Sequence, residues 1–404
     1  MRWRLIQLGT AVLLALSLGA CVSQTVTSTS VPSLETPATA VPEELLLDVS
    51  IAVFDPGLDQ YEEDEQTYPE VRKAEARYIP RRLLEALQNS GAWGAVRVVP
   101  DDSQITDLLI TGKILFSNGE QLQLHVTATD ARGYVWLDRD YKAVTSRYAY
   151  QPTTREQQDP FQAIYHSIAN DLLQRQQTLN TVDRKNIRLV SELLFARSFS
   201  PDAFDGYLAK NPKGHYLVMR LPAEDDPMLL RVKSIRERDR AFVDTLQTYY
   251  GGFDQQMSGP YQEWRKLGYE EAIALKEVQA ESTRRLIAGG VAILAGIAAS
   301  SQGDDRTTRT AGNVAIIGGG TLLKSGLDKR NEAQIHVQAL EELGQSLEAE
   351  ITPQVIELED KTVLLSGNVQ DQYAQWRGIL ADIYREEIGA LALPQDSAPA
   401  TDTL

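Results

Sequence analysis

Hydrophobic and polar positions change rhythm along this chain, and the rhythm sorts it into elements. Leu45 to Phe54 is a near-continuous apolar run closed by Asp55-Pro56-Gly57, which predicts a buried strand. Tyr68 to Leu87 carries Ala74, Ile79, Leu83, Leu84 and Leu87 at helical spacing and predicts an amphipathic helix. Val96 to Val99, closed by Pro100, predicts a short strand. Leu108 to Phe116 and Leu122 to Thr129 flank Asn118-Gly119, a pair that readily adopts the positive φ of a tight hairpin turn. In the second run Leu122, Leu124 and Val126 alternate with Gln123 and His125, so one face is buried and the other wet. Asp130-Ala131-Arg132-Gly133 then turns the chain into a strand from Tyr134 to Ala143. The order over residues 45–150 is β-α-β-β-β-β.

After Pro152 the period becomes helical. Asp159-Pro160 opens a helix to about Gln177, Thr181 to Ala196 is another, and Ser200-Pro201-Asp202 opens a short third. Asp225-Asp226-Pro227 opens a long one with an apolar stripe at Val232, Ile235, Phe242, Leu246, Tyr249 and Phe253. The run Arg236-Glu237-Arg238-Asp239-Arg240 reads as its solvated side. Gly251-Gly252 loosens this helix, and Gly259-Pro260 starts the next, from Tyr261 to Ser300. Asp328 to Ile351 predicts an amphipathic helix, Val355 to Leu358 and Thr362 to Leu365 two short strands. Gln370 to Glu387 predicts a last helix presenting Tyr373, Trp376, Leu380 and Tyr384. The fold class is α+β: an N-terminal β-α-β-β-β-β domain, then a mainly helical region.

Residues 286–300 and 310–323 are uncharged and rich in Gly and Ala. Small residues recur every fourth position, at Ala288, Ala292, Gly296 and Ser300, and at Thr307, Ala311, Ala315 and Gly319. Such stripes let helix backbones approach closely. Asp304, Asp305, Arg306 and Arg309 lie between them, so residues 286–323 read as a helical hairpin with a charged tip, which resembles glycine-zipper segments of outer-membrane lipoproteins. Each arm offers about 21 Å of apolar helix, short of the ~30 Å hydrocarbon core. Burial within an assembly, membrane insertion and shallow interfacial contact all stay open.

The first residues carry a separate signal. Arg2 and Arg4 precede an apolar run from Ala11 to Leu18, then small residues and Cys21, the layout of an export signal over residues 1–20. Leu18-Gly19-Ala20-Cys21 resembles the bacterial lipobox, which implies acylation of Cys21, the only cysteine in the chain. By resemblance to sorting in enteric bacteria, Val22 in place of Asp implies the outer membrane. Residues 21–44 are Ser, Thr, Pro, Val and Ala with little charge, so the lipidated Cys is expected to begin a disordered tether. The tail 394–404 has the same character. The remaining divisions are 45–150, 151–285 helical, 286–323, and 324–393 with helix, short strands and terminal helix. Net charge is −16, and loss of Arg2 and Arg4 takes it to −18, which argues against nucleic-acid binding.

Asp107-Leu108-Leu109-Ile110-Thr111-Gly112, followed by Thr129-Asp130-Ala131-Arg132-Gly133-Tyr134-Val135-Trp136, resembles an envelope domain family. That family includes the TolB N-terminal region, the curli-secretion lipoprotein and the activator lipoproteins of penicillin-binding proteins. The resemblance covers about a quarter of the chain and implies a domain that binds proteins or self-assembles, without catalytic residues. The long paired hairpins of the curli exporter have no counterpart here.

Catalytic and metal signatures are missing. His125, His166, His215 and His336 have no second His or Cys at ligand spacing. Gly318 to Ser325 resembles a phosphate loop, but Leu323 stands where the second Gly belongs, so no nucleotide is expected. The acidic run Glu62 to Glu65 lacks the alternation of a calcium loop. No cofactor and no metal are expected. The sequence therefore points to a non-enzymatic scaffold or accessory lipoprotein, membrane-attached through its lipid, binding periplasmic or envelope proteins and forming homo-oligomers. A subunit of an oligomeric export or channel assembly is the alternative, and an envelope hydrolase using carboxylates the second.

Overall fold

A computed structural model of the chain describes residues 25–28, 31–60, 68–151, 158–223, 225–299, 354–357, 362–365 and 368–392, together with Gln338 and Glu342. Strand β1 (Thr25–Ser28) is followed by β2 (Val49–Ala52), helix α1 (Pro69–Ser90), β3 (Val96–Val99), β4 (Leu108–Ser117), β5 (Gln121–Asp130) and β6 (Val135–Val144). They form one six-stranded sheet in the order β1-β6-β5-β4-β2-β3. β4, β5 and β6 pair antiparallel, while β2 pairs parallel with β3 and β4, and β1 parallel with β6. Helices α2 (Gln162–Gln177), α3 (Thr181–Phe199) and the short α4 (Pro201–Phe204) follow. A small hairpin, β7 (Leu208–Lys210) and β8 (Tyr216–Val218), precedes the long α5 (Pro227–Ala299). Strands β9 (Gln354–Glu357) and β10 (Thr362–Leu365) and helix α6 (Val369–Ala392) complete the described elements. The class is α+β, as the sequence pattern predicts.

The alternation of β5 works as expected. Leu122, Leu124, Val126 and Ala128 are fully buried, while Gln123, His125 and Thr127 sit half-buried on the other face. The residues that carry the family resemblance hold the turns. The Asp130 carboxylate accepts the N–H groups of Arg132 (2.9 Å) and Tyr134 (3.2 Å) and the indole N–H of Trp136 (3.0 Å). Asp107 accepts the N–H of Asp48 at 3.0 Å, tying β2 to β4. Gly112 leaves room for the Phe54 ring, which would lie 2.4 Å from a Cβ there.

Four expectations need correction. Residues 31–44 are not a disordered tether. His166 donates to the Pro32 carbonyl (2.8 Å), while Asn170 donates to Ser33 (2.9 Å) and accepts from the Glu35 N–H (2.8 Å). Leu34 packs on the core. A segment poor in apolar residues is ordered here because its backbone polar groups find side-chain partners on α2. Second, Gly259-Pro260 does not end a helix: α5 runs through it for 73 residues. Proline removes one backbone hydrogen bond, but Phe253, Met257, Tyr261 and Trp264 pack continuously against Val71, Ala74 and Tyr78 of α1. Third, the charged run of α5 is not simply solvated, since Asp239 is buried and Arg236 and Arg240 are half-buried. Fourth, residues 45–150 and 151–285 do not hold separate cores: one cluster extends from Leu47 to Tyr384. The hairpin β7–β8 had no expectation in the sequence.

α5 meets the sheet at the β4–β5 turn. Gly119 has φ +78°, and a Cβ there would stand 2.2 Å from the Arg265 carbonyl oxygen. Opposite, a Cβ on Gly268 would lie 3.1 Å from the Asn118 carbonyl oxygen. The Asn118-Gly119 pair is therefore both a turn and a seat for helix backbone. Gly119→Ala is expected to lower stability by about 2 kcal/mol or more, from left-handed strain and backbone overlap together. An unchanged urea midpoint would remove Gly119 from this role.

Candidate functional site

The described polar chemistry gathers under α5 in two networks. The first begins at Asp48, just before β2. Its carboxylate accepts the Ala95 N–H at 3.0 Å and an Arg240 N–H at 2.7 Å. Arg236 donates to Ser191 of α3. Asp239 accepts from Gln104 at 3.3 Å, lies 3.8 Å from Arg377 of α6, and has one carboxylate oxygen without a protein partner. Tyr373 donates to Gln104 in turn. Burial raises the Asp107 carboxyl, opposed by the Asp48 N–H and the Arg236 charge. Burial likewise raises Asp239, opposed chiefly by Arg377. Arg236 moves down, through burial first and the neighbouring Arg240 second.

Asp48, Gln104, Arg236, Asp239 and Arg240 line a pocket between the sheet and α5. Its interior, ≈ 20 Å³, has room for about one water molecule. Of the two raised carboxyls, Asp239 lines this pocket and Asp107 does not. Asp48 and Asp239 share this small space with Arg236 and Arg240, and the Arg240–Asp48 pair clamps α5 to the start of β2.

Where α5 crosses the outer edge of the sheet, Arg97 of β3 grips Asp244 through two bonds, 2.5 and 2.9 Å. Gln247 accepts the Val98 N–H (2.9 Å) and donates to the Val98 carbonyl (2.8 Å). One side-chain amide thus satisfies the backbone of an exposed edge, as a neighbouring strand would.

The second network lies deeper. Arg265 of α5 is fully buried and makes two bonds to Asp159, 3.1 and 2.9 Å. Tyr78 adds a third to that carboxylate at 2.8 Å. The Arg265 guanidinium sits 4.3 Å from the Tyr261 ring centroid. Burial by itself would raise Asp159, but the Arg265 charge and its hydrogen bonds outweigh it and hold the carboxyl below its ordinary value. Beside it Glu75 of α1 accepts from Ser117 (2.5 Å) and Tyr261 (2.6 Å). Burial raises Glu75, and the Arg72 charge only partly opposes it.

The residues singled out from sequence fare differently. Leu18, Gly19, Ala20 and Cys21, and Ser300, Ala311, Ala315 and Gly319, lie outside the described residues, as do Glu62 to Glu65, Gly318 to Ser325 and His336. Ala288, Ala292 and Gly296 fall on α5. His125 bonds Asp140 at 2.8 Å, and His215 stacks on Tyr134 with centroids 3.8 Å apart. Among the described residues no group of three His, Cys, Asp or Glu is placed to hold a metal ion. Sequence reasoning missed Asp239, whose signal was the gap in the stripe between Ile235 and Phe242. It missed Asp159 and Arg265 for want of any local signal. No protein-family model matches the chain, and no curated protein matches it.

Two expectations follow from the second network. Arg265→Met or Asp159→Asn alone should lower stability by about 3–5 kcal/mol, because each leaves a buried partner unpaired, and Arg265→Met with Asp159→Leu should recover most of it. Chemical denaturation checks this; single losses under about 1 kcal/mol would mean the pair is dispensable. The second concerns pH. The folded-state value of Glu75 lies above its ordinary 4.5, so above that pH the folded chain holds a proton the unfolded chain has released, and stability falls as pH rises. Glu75→Gln lacks that penalty. Its melting temperature relative to wild type should climb between about pH 4 and about pH 8; a flat or falling difference would contradict the assignment.

Proposed function

We propose that this chain is an envelope lipoprotein, anchored through Cys21 in the outer membrane and facing the periplasm, that acts as a non-enzymatic scaffold or accessory subunit for protein partners and forms homo-oligomers. The observation that carries the reading is α5. At 73 residues it is about 110 Å long. It is locked into the core by both networks, and the last described ion pair along it is Lys276 with Glu120. From Lys276 to Ala299 the helix continues for 23 residues (299 − 276), about 35 Å. Ala288, Ala292 and Gly296 recur on this stretch at four-residue steps, spacing suited to close pairing with another helix. A rod fixed at one end and bearing a small-residue stripe at the other favours assembly over catalysis.

The same continuity favours a second reading, a subunit of an oligomeric export or channel assembly, since motion of the stripe would be transmitted directly into the core. Among the described residues no helix is long and apolar enough to cross a membrane. Carboxylate-based hydrolysis has less support, because Asp48 and Asp239 line only a water-sized space.

Fractionation of Cys21→Ser, with and without residues 286–323, tests the proposal. The full-length variant should leave the membrane fraction and still sediment as an oligomer, and removal of 286–323 should reduce it to monomers. Membrane association that persists until 286–323 is removed would put the channel reading first. A monomer in both forms would overturn the scaffold.

A further inference from the structure

Strand β1 fixes how close the body can stand to its anchor. Thr25 pairs with Asp140 and Ser28 with Ala143, in parallel, so the N-terminus of β1 points toward the Val135 end of β6. Cys21 is four residues before Thr25, a reach of at most about 14 Å. From Asp140 to Val135 is about 17 Å of strand. The leash therefore ends near the rim of the sheet and cannot extend past it.

That rim has an unusual surface. The β5–β6 turn carries the β7–β8 hairpin, through the Tyr216 N–H to the Arg132 carbonyl (2.8 Å) and the His215–Tyr134 stack. β8 is apolar on both sides. Tyr216 and Val218 pack inward on the core. Leu217, Met219 and Leu221 face outward at 45, 62 and 71 % exposure, and Val135 at the start of β6 is 55 % exposed. From Leu208 to Leu221 the chain holds Lys210, Lys213 and Arg220 and no carboxylate, although its net charge is −16; Asp202, Asp205, Glu224, Asp225 and Asp226 lie beyond both ends of this stretch. Lys210 sits 4.7 Å from the Tyr216 ring centroid and Arg220 4.0 Å from that of Tyr207. Apolar tips, tyrosines and cations together match the apolar-to-headgroup boundary of a bilayer.

We propose that the β5–β6 turn and the β7–β8 hairpin form the membrane-facing end of the body, with Leu217, Met219 and Leu221 seated at the lipid interface beside the acyl chains of Cys21. The inference rests on the lipidation proposed above. Two independent features, a short parallel strand and an exposed apolar row with cations, select the same end of the sheet. The consequence is a body held on the bilayer, with the β4–β5 turn and its docked α5 at the far end.

The test uses the full-length lipidated chain in vesicles of phosphatidylethanolamine and phosphatidylglycerol. Met219→Cys and, separately, Tyr148→Cys receive an environment-sensitive fluorophore; Tyr148 is exposed and lies past the opposite end of β6. Lipid-borne quenchers should quench the label at 219 severalfold more than that at 148. Equal quenching, or stronger quenching at 148, would overturn the proposed orientation. Mass spectrometry of the N-terminal peptide separates the two failures. An unacylated Cys21 would sink the lipoprotein reading, whereas an acylated Cys21 with a water-exposed, unquenched 219 would sink this inference alone.

Discussion

Burying the Arg265 guanidinium is the constraint on which the rest of the structure depends. A charge taken out of water is tolerable only beside a partner with matched geometry, and Asp159 and the ring of Tyr261 provide it. Asp159 sits at the entry to α2, Tyr261 on α5, and Tyr78, which shares the carboxylate, on α1. One ion pair therefore fixes three helices relative to each other. Gly119 and Gly268 then let the α5 backbone settle on the β4–β5 turn at that same place.

With α5 placed, the β3 edge of the sheet is covered. An open edge strand invites unwanted pairing. β3 is covered by Gln247 and Arg97–Asp244, while on the other side β1 pairs with β6 and becomes the outer strand. Both contacts are long-range: residues at 244–247 close an edge at 97–98, and residues at 25–28 pair with 140–143. The order of the N-terminal segment follows from the same accounting. Its carbonyls and N–H groups are partners for α2, so it belongs to the body.

The acids under α5 divide by environment. Asp159 is held low by a paired arginine, whereas Glu75, Asp107 and Asp239 are raised by burial against weaker opposition. Such raised groups also mark catalytic sites elsewhere. The pocket beside Asp48 and Asp239 admits about one water. The geometry of these acids is that of a rigid seat for α5, with Asp48 paired to Arg240 and Asp239 beside Arg377.

What the sequence determined by itself was local. Alternation at Leu122, Leu124 and Val126 set β5 and its buried face, and Asn118-Gly119 set the hairpin register. The 3.6-residue stripe of Tyr373, Trp376, Leu380 and Tyr384 set α6. These signals are readable because each depends on a residue's own neighbours in the chain. Only the tertiary structure decided that α5 passes through Pro260, that Asp239 faces inward and that residues 31–44 are ordered. It alone joined Asp159 to Arg265, 106 positions apart. The physical reason is that these outcomes turn on burial against distant surfaces and on charge pairing across the fold, energies large enough to override a proline, a charge run or a polar composition.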